Sequence, residues 1–178
     1  MQYRRAFVPG GSYFFTVVTE RRRPLLASAD AVEVLRNAFR AVRSTRPFEI
    51  NAMVVLPDHL HCIWTMPLKD ADFATRWRLV KTWFTKHCAP VLRSPPNCAR
   101  AAKREQALWQ HRYWEHLLRD ETDFARHMDY IHYNPVKHGY AVAPMDWPYS
   151  SFRRYVEAGV YPADWSRGEM GFEGVGHE

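Results

Sequence analysis

The stretch Phe48–Met66, FEINAMVVLPDHLHCIWTM, decides how this chain folds. Phe48 to Val55 and His59 to Met66 are apolar, β-branched runs, and Leu56-Pro57-Asp58 between them interrupts the pattern where a central strand would not hold a proline. The spacing predicts two consecutive antiparallel strands. Side chains alternate faces along a strand, so His59 and His61 project to one side and Leu60 and Cys62 to the other.

Upstream, Tyr13 to Thr19 (YFFTVVT) follows a Gly10-Gly11 turn and reads as a strand. From Ser28, a suitable N-cap, Val32, Leu35, Phe39 and Val42 recur at helical intervals until Pro47 closes the run; the arginines of this helix face water. Downstream, Asp72 to Cys88 reads as a helix with Trp77, Val80 and Phe84 on one face, and these with Trp83 are expected in the core. SPPNCAR within residues 93–104 breaks any regular pattern and predicts a loop. Tyr113 to Leu118 is the next strand. Asp120 to Asn134 follows as a helix, opened by acidic residues and Thr122, turning Phe124, Met128 and Ile131 inward and limited by Pro135. The order βαββαβ followed by a helix gives the fold class: α+β, an antiparallel sheet with helices packed on one face, on the ferredoxin-like plan.

A chain of 178 residues fits one domain, assigned to residues 1–165, with an acidic, glycine-containing tail over 166–178. Hydrophobic residues at 47% and aromatics at 15% exclude wholesale disorder. No apolar run approaches the roughly 20 residues of a membrane span, and MQYRRAFVPGG lacks a secretory apolar stretch. Cys62, Cys88 and Cys98 show no paired spacing, so the expected compartment is the reducing cytoplasm. The net charge is +6, and the segment from Pro162 holds Asp164, Glu169, Glu173 and Glu178 against Arg167 alone, leaving 24 basic and 15 acidic residues elsewhere. An anionic partner fits such a basic body, as does ordinary surface charge. Neither a GxSxG motif nor a phosphate loop is present, which removes serine hydrolases and nucleotide-driven enzymes; no nucleotide cofactor is expected.

Two imidazoles side by side make half a metal site, and they equally suit a half-exposed sheet face. A zinc site that adds Cys62 is disfavoured because that side chain faces the opposite way. In DYIHYNPVKHG, Tyr130 and Asn134 are four apart and stack on one helix face; alone they fit a packed aromatic and a C-terminal cap. A helix laid across the sheet face bearing His59 and His61 would bring Asn134 in as third ligand and leave Tyr130 beside the metal.

RRAFVPGGSYFFTVVTERR (Arg4–Arg22), INAMVVLPDHLHCIWTMP (Ile50–Pro67), LWQHRYWEH (Leu108–His116), DYIHYNPVKHG (Asp129–Gly139) and DWPYSSF (Asp146–Phe152) together resemble the REP-associated tyrosine transposases. These belong to the HUH class, named for histidine, a bulky hydrophobe and histidine. The resemblance runs from about Tyr3 to Trp165 and omits the region around 94–105 and the last dozen residues. It implies that Tyr130 is the nucleophile, that His59, His61 and Asn134 hold Mg²⁺ or Mn²⁺, and that a 5′-phosphotyrosine forms on single-stranded DNA. It further implies that the partner is the hairpin of a repetitive extragenic palindrome, that the protein works as a monomer, with the dimer of the insertion-sequence relatives as the alternative, and that it sits in the bacterial cytoplasm, on the nucleoid when bound. Lys137 and His127 are expected helpers for the tyrosine hydroxyl. Arg4, Arg5, Arg21, Arg22, Arg23, Arg112 and Trp114, with Lys137, are expected at the DNA. The rival expectation is a non-catalytic module that binds hairpin or single-stranded DNA, which gives no reason for the His pair, Tyr130 and Asn134 to occur together.

Overall fold

The two runs on either side of Pro57 pair as expected. β1 (Ser12–Val18), β2 (Glu49–Val55), β3 (His59–Thr65) and β4 (Trp114–Leu117) form one antiparallel sheet in the order β2-β3-β1-β4. The structure is a computed structural model that describes residues 6–93, 107–166 and 175–176. Arg4 and Arg5, most of the 93–105 loop and most of the tail lie outside the described residues. No helix among the described residues is long and apolar enough to cross a membrane.

α1 (Ala29–Thr45) starts where Ser28 Oγ accepts the Ala31 amide, and α2 (Phe73–His87) where Asp72 Oδ1 accepts that of Thr75; each bond satisfies an amide that has no partner within its helix. α1 buries Val32, Leu35, Phe39 and Val42, and α2 buries Phe73, Trp77, Val80 and Phe84, against Tyr13, Phe15, Leu60, Cys62 and Trp64 on one sheet face. Trp77 stacks on Trp64 with centroids 4.2 Å apart and planes 17° apart, so these tryptophans are core. Arg76, on the inner side of α2, is buried as well. It spends its donors on Asp70 Oδ2 (2.7 Å) and on the carbonyls of Asp72, Arg46 and Pro47, tying α2 to the start of β2.

The other sheet face carries Phe14, Ala52, Val54 and Ile63 and is covered by α3 (Glu121–Lys137) through Met128, Tyr130 and Ile131. Thus α1 and α2 pack on one face, and the helix that follows the βαββαβ core lies across the opposite one. α3 runs past Pro135, which the sequence had as its limit. A proline this near the C-terminus forfeits a single backbone bond. The stop comes at Gly139, in the left-handed conformation at φ 71°, where the Tyr140 amide bonds the Pro135 carbonyl (2.8 Å) and the Gly139 amide that of Val136 (3.0 Å). α4 (Phe152–Glu157) follows a loop in which the Val55 amide bonds Tyr149 and the Ser151 amide bonds Met53, extending the β2 edge.

Candidate functional site

The site grows from the turn before β3. Thr19 fixes Asp58 by donating its amide (2.9 Å) and hydroxyl (2.8 Å) to the Asp58 carbonyl, and Leu26 donates its amide to Pro57 (2.8 Å). β3 therefore begins at a defined point, and its alternation sends His59, His61 and Ile63 toward α3. The register sets Val18 opposite His59 and Thr16 opposite His61 on β1, with Val54 flanking His61 on β2.

Both histidines are buried and each is held by its Nδ1. His59 Nδ1 lies 2.6 Å from Asp58 Oδ1, and His61 Nδ1 lies 2.9 Å from Thr16 Oγ1. A ring gripped at Nδ1 presents Nε2 at its other edge, the arrangement that a metal-binding imidazole needs. The Nε2 atoms of both rings are buried, and the ring centroids stand 4.9 Å apart at 81°. Arg22 Nη1 reaches Asp58 Oδ2 at 3.1 Å. Burial pushes the Asp58 carboxyl up, but the bonds from His59 and Arg22 outweigh it and hold the group below the usual carboxylate range.

α3 supplies the rest. Asp120 Oδ1 caps it through the Asp123 amide (2.8 Å), and His127, Tyr130, Ile131 and Asn134 form its buried stripe. The Tyr130 ring sits 5.2 Å from that of His61, edge to face, and Asn134, with its Oδ1 buried, follows one helical turn on. Lys137 Nζ, two turns along the helix from Tyr130, donates to the Tyr130 hydroxyl at 3.3 Å and lies 4.9 Å from the ring centroid. Phe14 is the hub: its ring contacts His61, Trp114, His127 and Tyr130 at 4.7–5.9 Å. Tyr133 points elsewhere, toward Trp165.

The structure thus sets Tyr130 against His61, with Asn134 buried one turn further along α3, places Lys137 on the tyrosine and puts His127 one turn before it. Arg21, Arg22 and Arg112 are exposed at the His59 end of the sheet, where β1 ends and β4 begins, although Arg22 is also tied to Asp58. Arg23 braces the loop after α2 through the Leu92 carbonyl at 3.1 Å, and Trp114 is half-buried against Phe14. Sequence reasoning missed four contributors. Asp58 and Thr16 orient the histidines; Asp58 was readable as the polar residue before the pair, whereas Thr16, 45 residues from His61, is brought in by the β1–β3 register. His138, whose ring lies 5.2 Å from His59, is four residues beyond Asn134 on the α3 stripe. The fourth is Val175–Gly176, which no spacing places. Val175 is buried in the Phe14–Ile131 cluster, and Gly176 lies so close to Tyr130 that a Cβ there would overlap Cζ and stand 2.6 Å from Cε1 and the hydroxyl.

The chain matches a family described as "Transposase IS200 like" over residues 8–134. It is 46% identical over 165 residues, 93% of this chain and 90% of the relative, to the REP-associated tyrosine transposase of Escherichia coli (strain K12). A Haemophilus influenzae relative is 45% identical over 92% of both chains. A solved structure of a REP-associated tyrosine transposase bound to a REP hairpin aligns with 100% of this chain and 98% of its own, with a TM-score of 0.80 and 42% identity.

Proposed function

The chain belongs to the REP-associated tyrosine transposases of the IS200-like family, and we propose that it cuts and rejoins single-stranded DNA beside a palindromic hairpin through a covalent bond on Tyr130. The observation that carries this reading is the placement of Tyr130 and Asn134 on the helix that crosses the histidine-bearing sheet face, with the Tyr130 ring 5.2 Å from His61. The hairpin is the partner because a relative with 42% identity is seen bound to one.

His59, His61 and Asn134 offer two imidazole nitrogens and an amide oxygen, a donor set that suits Mg²⁺ or Mn²⁺, and the Nδ1 bonds to Asp58 and Thr16 fit it as outer supports. Such an ion supplies charge that offsets the phosphodiester's repulsion of a nucleophile. Tyr130 Oη attacks the scissile phosphorus, the bond to the 3′ oxygen breaks, and that oxygen leaves as a hydroxyl while the 5′ phosphate stays on the tyrosine. The phenol, a weak acid at neutral pH, loses its proton to solvent as it attacks. Lys137 Nζ, already donating to this oxygen, stabilises the phenolate that develops. The 3′ hydroxyl later attacks the phosphotyrosine and reseals or transfers the strand, so the phosphoryl bond is conserved and no nucleotide cofactor is consumed.

The core, residues 1–165, carries the chemistry, and the segment 166–178 restrains it by laying Val175–Gly176 on the nucleophile. The test is a denaturing gel with end-labelled single-stranded palindrome DNA and Mg²⁺ or Mn²⁺, comparing the native protein with Tyr130→Phe and His59→Ala. A protein–DNA adduct lost in both variants supports the reading. Cleavage that persists in Tyr130→Phe means another nucleophile. Tight hairpin binding with no cleavage under either metal means a binding module.

A further inference from the structure

A second cluster lies on α3, on the N-terminal side of Tyr130. Asp123, His127, Tyr130 and Asn134 are spaced four, three and four residues apart and so share one helical stripe; the first two form a site of their own with His116 of β4. Candidate ligand atoms of His116, Asp123 and His127 all lie within 4.8 Å of one another. His116 Nε2 is 2.8 Å from Asp123 Oδ2, and His127 Nδ1 is 3.1 Å from Asp123 Oδ1 and 2.8 Å from the Asp123 carbonyl. The two imidazoles stack at 4.9 Å and 19°, and the His127 ring is held on Phe14 at 4.7 Å. His127 is buried, whereas the His116 and Asp123 side chains keep 21% and 20% exposure, so the cluster is walled on one side and open on the other.

We propose that His116, Asp123 and His127 form a second cation site, separate from the His59–His61 pair, which takes a late divalent transition ion such as Zn²⁺ or Co²⁺. Two imidazoles and one carboxylate with an open side are a recurrent donor set for such ions. The group states agree with this. Burial holds His127 below the usual histidine pKa and so in its neutral, ligating form. Burial raises the Asp123 carboxyl, yet the bonds from His116 and the Arg119 amide bring it below the usual range, so it is ionised. The ion replaces the protons that now lie between rings and carboxylate, each ring moving its proton to its other nitrogen. For His127 that nitrogen is Nε2, buried with no partner among the described residues. Binding at Nδ1 therefore leaves a buried N–H unsatisfied, which favours ions with strong imidazole bonds over Mg²⁺. Once bound, the ion ties β4 to the first turns of α3, three residues before Tyr130.

The test is a Co²⁺ titration of chelator-stripped protein, read by visible absorption and by metal content after equilibrium dialysis, repeated with excess Mg²⁺. The variants are His59→Ala/His61→Ala, His116→Gln/Asp123→Asn, and His127→Gln as an independent single change; far-UV circular dichroism of the metal-free forms confirms folding. We expect one equivalent to persist in His59→Ala/His61→Ala, to resist Mg²⁺, and to vanish when His116→Gln/Asp123→Asn is added to that variant. His127→Gln should weaken it by at least about tenfold, as the loss of a coordinating contact does. No bound Co²⁺ in His59→Ala/His61→Ala, or an equivalent there that survives the further loss of His116 and Asp123, overturns the proposal. Either result leaves the reading of Tyr130 untouched, because that rests on the adduct.

Discussion

Replacing Gly176 with alanine tests the tail directly. Gly176 has φ +75°, and an added Cβ would overlap Tyr130 Cζ and lie 2.6 Å from its hydroxyl. A left-handed alanine costs about 1 kcal/mol. Overlap with a buried ring adds roughly 2 kcal/mol. Together these oppose the docked tail by about 3 kcal/mol, or ~100-fold in its docking equilibrium. Tyr130 is held by Phe14, His61 and Lys137, whereas the two described tail residues hold on chiefly through buried Val175, so the tail yields. The assay is the initial rate of adduct formation on end-labelled palindrome DNA with saturating Mn²⁺, for Gly176→Ala, Val175→Asp and a chain lacking residues 168–178. All three should form adduct faster than the native protein and reach one common ceiling. Unchanged rates in all three refute the restraint. A slow Gly176→Ala beside a fast deletion shows that the ring moves instead, and refutes the order of strengths assumed here.

Asp58→Asn should raise the Mn²⁺ concentration needed for half-maximal adduct formation by about 10- to 100-fold, since it removes the carboxylate that holds His59 at 2.6 Å. Thr16→Val, which keeps the shape and deletes the partner of His61 Nδ1, should act in the same direction and more weakly. Lys137→Met should slow adduct formation by roughly tenfold at neutral pH; an unchanged rate would remove Lys137 from the chemistry. His132 is fully buried and its pKa is lowered to about 3, chiefly by burial, with the Arg154 charge adding to it. The unfolded chain then binds the extra proton between about pH 6.5 and 3, so stability is complete above 6.5 and falls below it, by about 1.4 kcal/mol at pH 5.5. Urea unfolding at pH 7 and 5.5 should show that part of the loss disappear in His132→Gln, whose amide still reaches toward Ser151.

The strands on either side of Pro57, the cap Ser28, the helix starts near Asp72 and Asp120, and the stacking of Tyr130 with Asn134 were legible because each rests on local periodicity or on a residue's own hydrogen-bonding habit. What was not legible depends on distant partners. Arg76 lies among helical cations and looks like a surface residue until Asp70 and three carbonyls converge on it. Pro135 signals a helix end by its ring, yet the Schellman bonds around Gly139 set the stop. Arg22 was expected at the DNA from its charge, and its bond to Asp58, which that charge alone did not reveal, also gives it a share in orienting His59.

The position of Tyr130, the proposed nucleophile, follows from one helix being held at two places along its length. Asp123 fixes the start of α3 to His116 of β4 and to the Arg119 amide, while the Schellman turn closes its far end beyond Asn134. Tyr130 lies between these points on a single stripe, so helix geometry sets its lateral position over Phe14 and His61, and the ring's own contacts hold it there. Asp123→Ala should therefore slow adduct formation while the Mn²⁺ requirement at His59 and His61 changes little; Asp58→Asn should do the reverse. If both substitutions moved metal requirement and maximal rate together, the two ends of the site would not be mechanically separate, and α3 would be acting as one compliant element with the sheet.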